Sequence, residues 1–255
     1  YNIPQYPKPY FRGTNGGVYV RTSGADGTVD EKLIYHNDFY VVKRIVDSET
    51  GESIVLRLHL PKDGVREFTV PLTSVTSREE LRKAVSMHGI VVDKPDELMR
   101  YTATWVNELQ TTTVADESHR QFGWTSKDMK SFVIGDREIF ADRIEFNPAS
   151  GATAALIPHM EPKGSLEGWK DMINFYNRKG FELHQYVVGT SFGSVLMEML
   201  PVHCSMMHLH SQGTGFGKTT VMEAGLSVWG DPEELLLYEK DTHSIKKHRG
   251  EVYHN

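Results

Sequence analysis

Gln212-Gly213-Thr214-Gly215-Phe216-Gly217-Lys218-Thr219-Thr220 is the stretch around which this sequence is organised. It fits the phosphate-binding loop pattern at every required position except the first glycine, where Gln212 stands. Closely spaced glycines allow backbone N–H groups to converge on a phosphate, and the following helix offers its positive N-terminus. The stretch therefore predicts a nucleotide-binding loop at 213–220.

The side chains of this loop predict the chemistry of a bound nucleotide. Lys218 is expected to reach the β- and γ-phosphates of ATP and to act in catalysis by stabilising the transferred phosphoryl group. Thr219, the second catalytic candidate, is expected to give its hydroxyl to the Mg²⁺ that accompanies ATP. The predicted nucleotide-binding residues are Gly213, Thr214, Gly215, Phe216, Gly217, Lys218, Thr219 and Thr220. Gln212 departs from the pattern, because the first glycine normally permits a tight backbone conformation.

The flanks of the loop predict a strand before it and a helix after it. Residues 204–210 form a short, largely apolar run of strand length. Residues 219–229 place apolar side chains mostly at helical spacing, and Gly230-Asp231-Pro232 predicts the end of that helix. The alternative is a glycine-rich turn without a ligand, but a turn has no use for the Lys-Thr pair.

Composition restricts the class of protein. The chain has 255 residues, 39% hydrophobic residues and a net charge of −6, which is typical of a globular protein without a uniformly basic surface. No apolar run approaches membrane-spanning length, so no membrane partner is expected. The single cysteine, Cys204, excludes an internal disulfide and suits a reducing compartment, so the expected location is the cytoplasm.

The N-terminal part predicts a β-rich α+β domain. Residues 1–16 contain three prolines and predict an extended lead-in segment. Five β-rich runs separated by hairpin turns predict an antiparallel meander between residues 17 and 71. Two helices follow, one capped by Ser77 and one with an apolar core stripe of Leu98, Tyr101, Trp105 and Leu109. Short strands between 131 and 146 and a polar linker at 147–151 place the end of this 17–150 domain near residue 150.

The remaining residues, 151–255, predict a helical segment and the first part of an α/β P-loop NTPase core. Residues 182–200 are apolar enough to predict a deeply buried helix. A second strand is predicted at 235–238 and a helix at 242–253.

Three groups of polar residues each allow two interpretations. Glu239 and Asp241 either form a metal-side acidic pair or mark an ordinary exit from a strand. The basic cluster Lys246–Arg249 either contacts nucleic-acid phosphates or is a solvated helix face. The histidines around Cys204 match no zinc framework, so no metal is expected beyond the Mg²⁺ of the nucleotide.

The order of several short motifs resembles a known family. The motifs are Phe122-Gly123-Trp124, Phe132-Val133-Ile134-Gly135-Asp136, Gly164-Ser165-Leu166-Glu167-Gly168-Trp169, the loop at 212–220 and Ser227-Val228-Trp229-Gly230. Together they resemble the helicase-like P-loop ATPases of phages, prophages and mobile elements, a replication-associated family long labelled a domain of unknown function. The similarity covers most of the chain from about Gly17 onward.

This resemblance implies part of a replicative DNA helicase or helicase-primase ATPase in the cytoplasm of a bacterial host. Such a protein couples ATP hydrolysis to action on single-stranded DNA, as a ring-shaped homo-oligomer. In similar proteins an acidic strand, which holds Mg²⁺ and positions water, follows shortly after a segment like 245–255. The resemblance therefore implies an N-terminal fragment with an incomplete core, either truncated or completed by a second polypeptide. Such a chain is expected to bind ATP better than it hydrolyses it.

Two other functions stay open at the level of sequence. One is a nucleotide-binding interaction module that uses ATP as a structural ligand and docks a partner protein through the β-rich domain. The other is a P-loop kinase acting on a small substrate, which is disfavoured because that chemistry does not need the long N-terminal region.

Overall fold

The structure is a computed structural model that describes residues 2–23, 27–47, 50–119, 121–150, 153–201 and 205–253. The chain is a mixed α+β protein and divides into two compact units, Tyr1–Ser118 and His119–Asn255. This division falls earlier in the chain than the predicted domain boundary near residue 150. Asn147 and Ser150, in the predicted linker, are both buried, and the strands before them form the sheet of the second unit.

The first unit contains two β-sheets. Strands β1 (Tyr10–Arg12), β2 (Val18–Ser23) and β3 (Val29–Tyr35) form one antiparallel sheet in that order. Strands β4 (Phe39–Asp47), β5 (Gly51–Leu60) and β6 (Gly64–Pro71) form an antiparallel meander, and the short strand β7 (Asp116–Glu117) pairs parallel with β4. The antiparallel meander predicted from the sequence is therefore confirmed for β4–β6.

Three helices follow the meander and cover the core of the first unit. They are α1 (Leu72–Val75), α2 (Arg78–Ser86) and α3 (Pro95–Thr112). Ser77 caps α2 as predicted, because its side chain accepts a hydrogen bond from the Glu80 N–H. The predicted core stripe of α3 is confirmed, since Leu98, Tyr101 and Trp105 are buried.

Asp38 ties the N-terminal segment into this core. The predicted lead-in at 1–16 is not simply an extended arm, because it includes β1 and the buried side chain of Tyr6. The Asp38 carboxylate accepts hydrogen bonds from Arg12 Nε and Nη2, both at 2.8 Å, and from the Gly17 N–H at 3.0 Å. The Tyr6 hydroxyl donates to the same carboxylate at 3.3 Å. A pattern of prolines cannot reveal this contact, because Asp38 is distant in sequence.

Asp38 is expected to make the stability of the first unit depend on pH. Burial opposes ionisation, but hydrogen bonds from Arg12 and Gly17 outweigh it and hold the pKa of Asp38 below its ordinary value. This stabilisation is fully present above pH about 4, the pKa of an unfolded aspartate, and is lost as pH falls through the lower folded-state pKa. Asp38→Asn is expected to lower the free energy of unfolding at pH 7 by about 1–2 kcal/mol.

Urea unfolding at pH 7 and below pH 4 measures this effect. Asp38→Asn should show a weaker loss of stability on acidification than the unchanged chain. Asp30→Asn, at an exposed aspartate of β3, is the matched control and should behave like the unchanged chain. If Asp38→Asn loses as much stability on acidification as the unchanged chain, Asp38 is not the source of the pH dependence.

The second unit combines one antiparallel sheet with helices. The sheet runs in chain order through β8 (Gly123–Trp124), β9 (Ser131–Ile134), β10 (Arg137–Phe140) and β11 (Ile144–Phe146). The helices are α4 (Leu166–Asn174), α5 (Glu182–Gly193), α6 (Lys218–Leu226), α7 (Pro232–Leu235) and α8 (His243–Val252), with 3₁₀ turns at Ile157–His159 and Ser194–Met199. The short strands predicted between 131 and 146 are confirmed.

Two strands predicted beside the loop are not found. The described residues of the first, 205–210, belong to no strand, and no backbone–backbone hydrogen bond joins them to the rest of the described sequence. Cys204 lies outside the described residues. The second, predicted at 235–238, is wrong, because Leu235 ends α7 and residues 236–238 form no strand. Asp231 caps α7, since its Oδ1 accepts from the Glu233 N–H at 3.2 Å. Every described strand of the second unit belongs to the antiparallel sheet.

The expected deep burial of 182–200 is also wrong. Val187 and Val188 of α5 are buried against Val221 and Ala224 of α6. Other large apolar side chains point away from this contact, and Leu183 is 79% exposed. Helix α5 is therefore packed along one side only, although its composition suggests burial all round. None of the described helices is both long enough and apolar enough to cross a membrane.

Candidate functional site

The glycine-rich loop enters α6 through left-handed glycines. Gly215 has a φ of +83°, and Gly217, the residue before α6, has φ and ψ of 72° and 17°. Residues with a Cβ atom rarely adopt this left-handed backbone conformation, so both positions require glycine. A left-handed residue followed by a helical one turns successive N–H groups toward the same side, which forms an anion-binding nest. Two left-handed glycines thus lead directly into the N-terminus of α6.

The ammonium group of Lys218 folds back onto the loop. Lys218 Nζ donates to Ser211 Oγ and, at 3.2 Å, to the Gly213 carbonyl oxygen. The Ser211 hydroxyl in turn donates to the same carbonyl at 2.7 Å. The structure thus holds the positive charge of Lys218 against the start of the loop. Ser211 was missed by the sequence pattern, which begins at residue 212.

The other predicted residues of the loop are accessible. Thr219 and Thr220 stand in the first turn of α6, where backbone N–H groups have no partner within the helix, and both are exposed. Phe216 is exposed, and its ring lies 3.1 Å from the position of a Cβ atom built on Gly213, which explains a glycine there. An exposed hydroxyl at Thr219 fits Mg²⁺, since this ion is bound mainly through phosphates, water and few protein oxygens.

Helix α5 supports the loop from one side. A Cβ atom built on Gly217 would lie 3.7 Å from His184 Nε2, so the imidazole borders the residue that opens α6. Gly225 allows the two helices to approach, since its Cβ would lie 2.8 Å from Ser191 Oγ. No sequence signal marks His184, because the periodicity of 182–200 indicates only an apolar helix.

The downstream candidates have structural partners. Asp241 Oδ2 accepts a hydrogen bond from the Tyr238 N–H at 2.7 Å, and Lys246 Nζ donates to the Glu239 carbonyl oxygen at 2.8 Å. Arg249 donates to a backbone carbonyl oxygen. The idea of a metal-side acidic pair required a strand at 235–238, and that strand is absent. The basic cluster is better explained as a helix face that fastens α8 to the preceding turn.

The described residues contain no group of three or more His, Cys, Asp or Glu side chains arranged to hold a metal ion. His208 and His210 lie close together, with ring centroids 6.2 Å apart. His203 and Cys204 of the same sequence cluster lie outside the described ranges.

Comparison with known proteins gives one finding. A family model described as "Domain of unknown function (DUF927)" matches residues 11–244, which is most of the chain. No curated protein matches the chain.

Proposed function

This chain belongs to the DUF927 family, and we propose that it is the ATP-binding part of a helicase-like P-loop ATPase. The proposal rests on the backbone conformation of the loop. Gly215 and Gly217 are both left-handed, and Lys218 follows at once as the first residue of α6. A nest of N–H groups, a helix N-terminus and an ammonium group thus meet in one short stretch, which is the combination that phosphate chains bind.

In the proposed complex with Mg-ATP, each group of the loop has a defined role. The N–H groups of 213–220 hold the phosphates, and Lys218 exchanges its bonds to Ser211 and Gly213 for phosphate oxygens. Thr219 offers its hydroxyl to Mg²⁺, which neutralises charge on the phosphates when bound. Lys218 then stabilises the charge that develops as the terminal phosphoryl group is transferred.

The surface beside the loop supports completion of the site by another segment of polypeptide. Residues 205–210 belong to no strand of the described chain, and Leu183 and Tyr186, three residues apart on α5, are mostly exposed. Exposed apolar patches of this kind mark interaction sites. We propose that a second polypeptide, or a further part of the same one, adds the acidic strand here. The completed ATPase would work on single-stranded DNA as a ring of identical subunits in the cytoplasm.

Steady-state ATP hydrolysis, with and without single-stranded DNA, tests this function. The chain by itself should bind Mg-ATP and hydrolyse it no faster than Lys218→Ala, because the water-positioning acid is supplied from outside. Adding a polypeptide that carries the acidic strand should produce turnover that DNA stimulates. If the chain alone showed DNA-stimulated turnover, the proposal that another polypeptide supplies the acidic strand would be wrong. Glu239 or Asp241 would then be the acid that positions water. Failure to bind Mg-ATP would reject the proposal altogether.

A nucleotide-binding interaction module is the second candidate function. The observation that favours it is the antiparallel sheet of the second unit, to which all of this unit's described strands belong. Such a module needs ATP only as a structural ligand. ATP would then raise the melting temperature, while neither DNA nor an added acidic strand would produce turnover.

A further inference from the structure

Aromatic side chains gather beside the phosphate-binding loop. We call Phe175, Tyr176, Phe181 and His184 the aromatic cluster. The His184 imidazole stacks on the Tyr176 ring, with centroids 5.5 Å apart and planes at 15°. The Phe181 ring lies 5.0 Å from His184, and the Phe175 ring lies 5.2 Å from Phe181. The rings thus form a continuous row, from α5 to the end of α4.

The His184 end of this row borders the loop. His184 Nε2 lies 3.7 Å from the position of a Cβ atom on Gly217, as described above. Its other ring nitrogen, Nδ1, is buried and has no hydrogen-bond partner in the described part of the chain. A buried polar atom without a hydrogen-bond partner calls for an explanation, and a functional role is one such explanation.

The opposite end of the row is open to solvent. Phe175 is 47% exposed, and the Arg178 guanidinium lies 4.6 Å above its ring centroid. Exposed rings accompanied by a guanidinium are the groups on which proteins stack nucleobases. Core packing accounts for Tyr176, which is buried, but it does not require a half-exposed phenylalanine paired with a cation.

We propose that the aromatic cluster seats the base of the nucleotide whose phosphates occupy the loop. This inference rests on the proposed function, because the loop must hold the phosphates. The row of rings begins beside Gly217 and extends away from it. The base of a bound nucleotide likewise lies away from its phosphates. Rings and a guanidinium offer faces to a base and do not read its hydrogen-bonding edge, so the site accepts purines of either kind. ATP and GTP should bind within about threefold of each other.

Calorimetric titration of the full chain with Mg-ATP, Mg-GTP and magnesium tripolyphosphate separates base from phosphate binding. The unchanged chain should bind ATP more tightly than tripolyphosphate. Phe175→Leu should weaken ATP binding by about tenfold and leave tripolyphosphate binding unchanged, because only the stacking surface is removed. Since Phe175 is half exposed, this variant keeps the fold. Phe192→Leu is the matched control, as Phe192 is also half exposed but contacts Trp169 instead of the cluster.

The outcomes distinguish this inference from the proposed function. Equal affinity for ATP and tripolyphosphate in the unchanged chain overturns the base site and leaves the phosphate loop standing. So does a Phe175→Leu variant that binds ATP normally. Equal loss of both ligands in this variant also overturns the inference, since it shows a general disturbance. If the unchanged chain binds neither ligand, the phosphate loop itself fails, and the base site falls with it.

Discussion

Lys218→Ala is expected to abolish binding of Mg-ATP, with a loss of affinity of about 100-fold or more. The side chain carries a positive charge to the loop, where it bonds Ser211 Oγ and the Gly213 carbonyl oxygen. Alanine removes the charge-assisted hydrogen bonds that the ammonium would make to the phosphates. The backbone nest remains, but N–H groups alone leave most of the phosphate charge uncompensated.

Isothermal titration calorimetry measures this effect directly. Lys170→Ala is the matched control, because Lys170 lies in the same unit, is half exposed and pairs with Glu167 on its own helix. The control should bind Mg-ATP like the unchanged chain. An affinity in Lys218→Ala equal to that of the control would reject the phosphate-binding loop. Thermal unfolding should change little, because substitutions of accessible side chains alter stability by about 0.5 kcal/mol or less.

Gly230→Ala is expected to destabilise the second unit by about 3 kcal/mol. A Cβ atom on Gly230 would lie 2.1 Å from the His159 carbonyl oxygen and 3.1 Å from the Met160 Cα. These are backbone atoms, and they cannot rotate away as a side chain can. The His159 carbonyl also accepts a hydrogen bond from the Asp231 N–H at 2.7 Å, so moving it breaks the junction that leads into α7.

Gly189→Ala supplies a control of opposite sign. Gly189 lies inside α5, and a Cβ atom built there would meet nothing within 4 Å. Alanine favours a helix over glycine by about 0.5–1 kcal/mol, so this variant should be as stable as the unchanged chain or more stable. Urea unfolding followed by circular dichroism compares the two. Similar midpoints for Gly230→Ala and Gly189→Ala would contradict the close backbone contact.

Local signals predicted the parts of the fold that a few residues determine. Ser77 and Thr242 begin helices because their hydroxyls bond N–H groups three residues ahead. Gly135 closes the turn between β9 and β10 because it can adopt a positive φ of 60°. The prediction of a phosphate-binding loop at 213–220 also rests on local signals, since its glycines and lysine are close in sequence.

Distant contacts explain what the sequence did not predict. An apolar run such as 205–210 becomes a strand only beside a partner, and the described chain provides none there. Burial of α5 depends on which helices cover it, and α6 covers one side only. The same limit applies to the candidate site. Its predicted residues are contiguous, whereas His184 reaches Gly217 from a separate helix, without any periodicity that marks it.

The Asp38 carboxylate limits how far the N-terminus of the first unit can be shortened without loss of stability. It gathers donors from Tyr6, Arg12 and Gly17, which come before the main meander in the chain. A recombinant fragment that begins at Gly17 would therefore leave a charged group in the interior without its guanidinium. Removing the N-terminal residues therefore takes away hydrogen bonds that the buried Asp38 carboxylate needs.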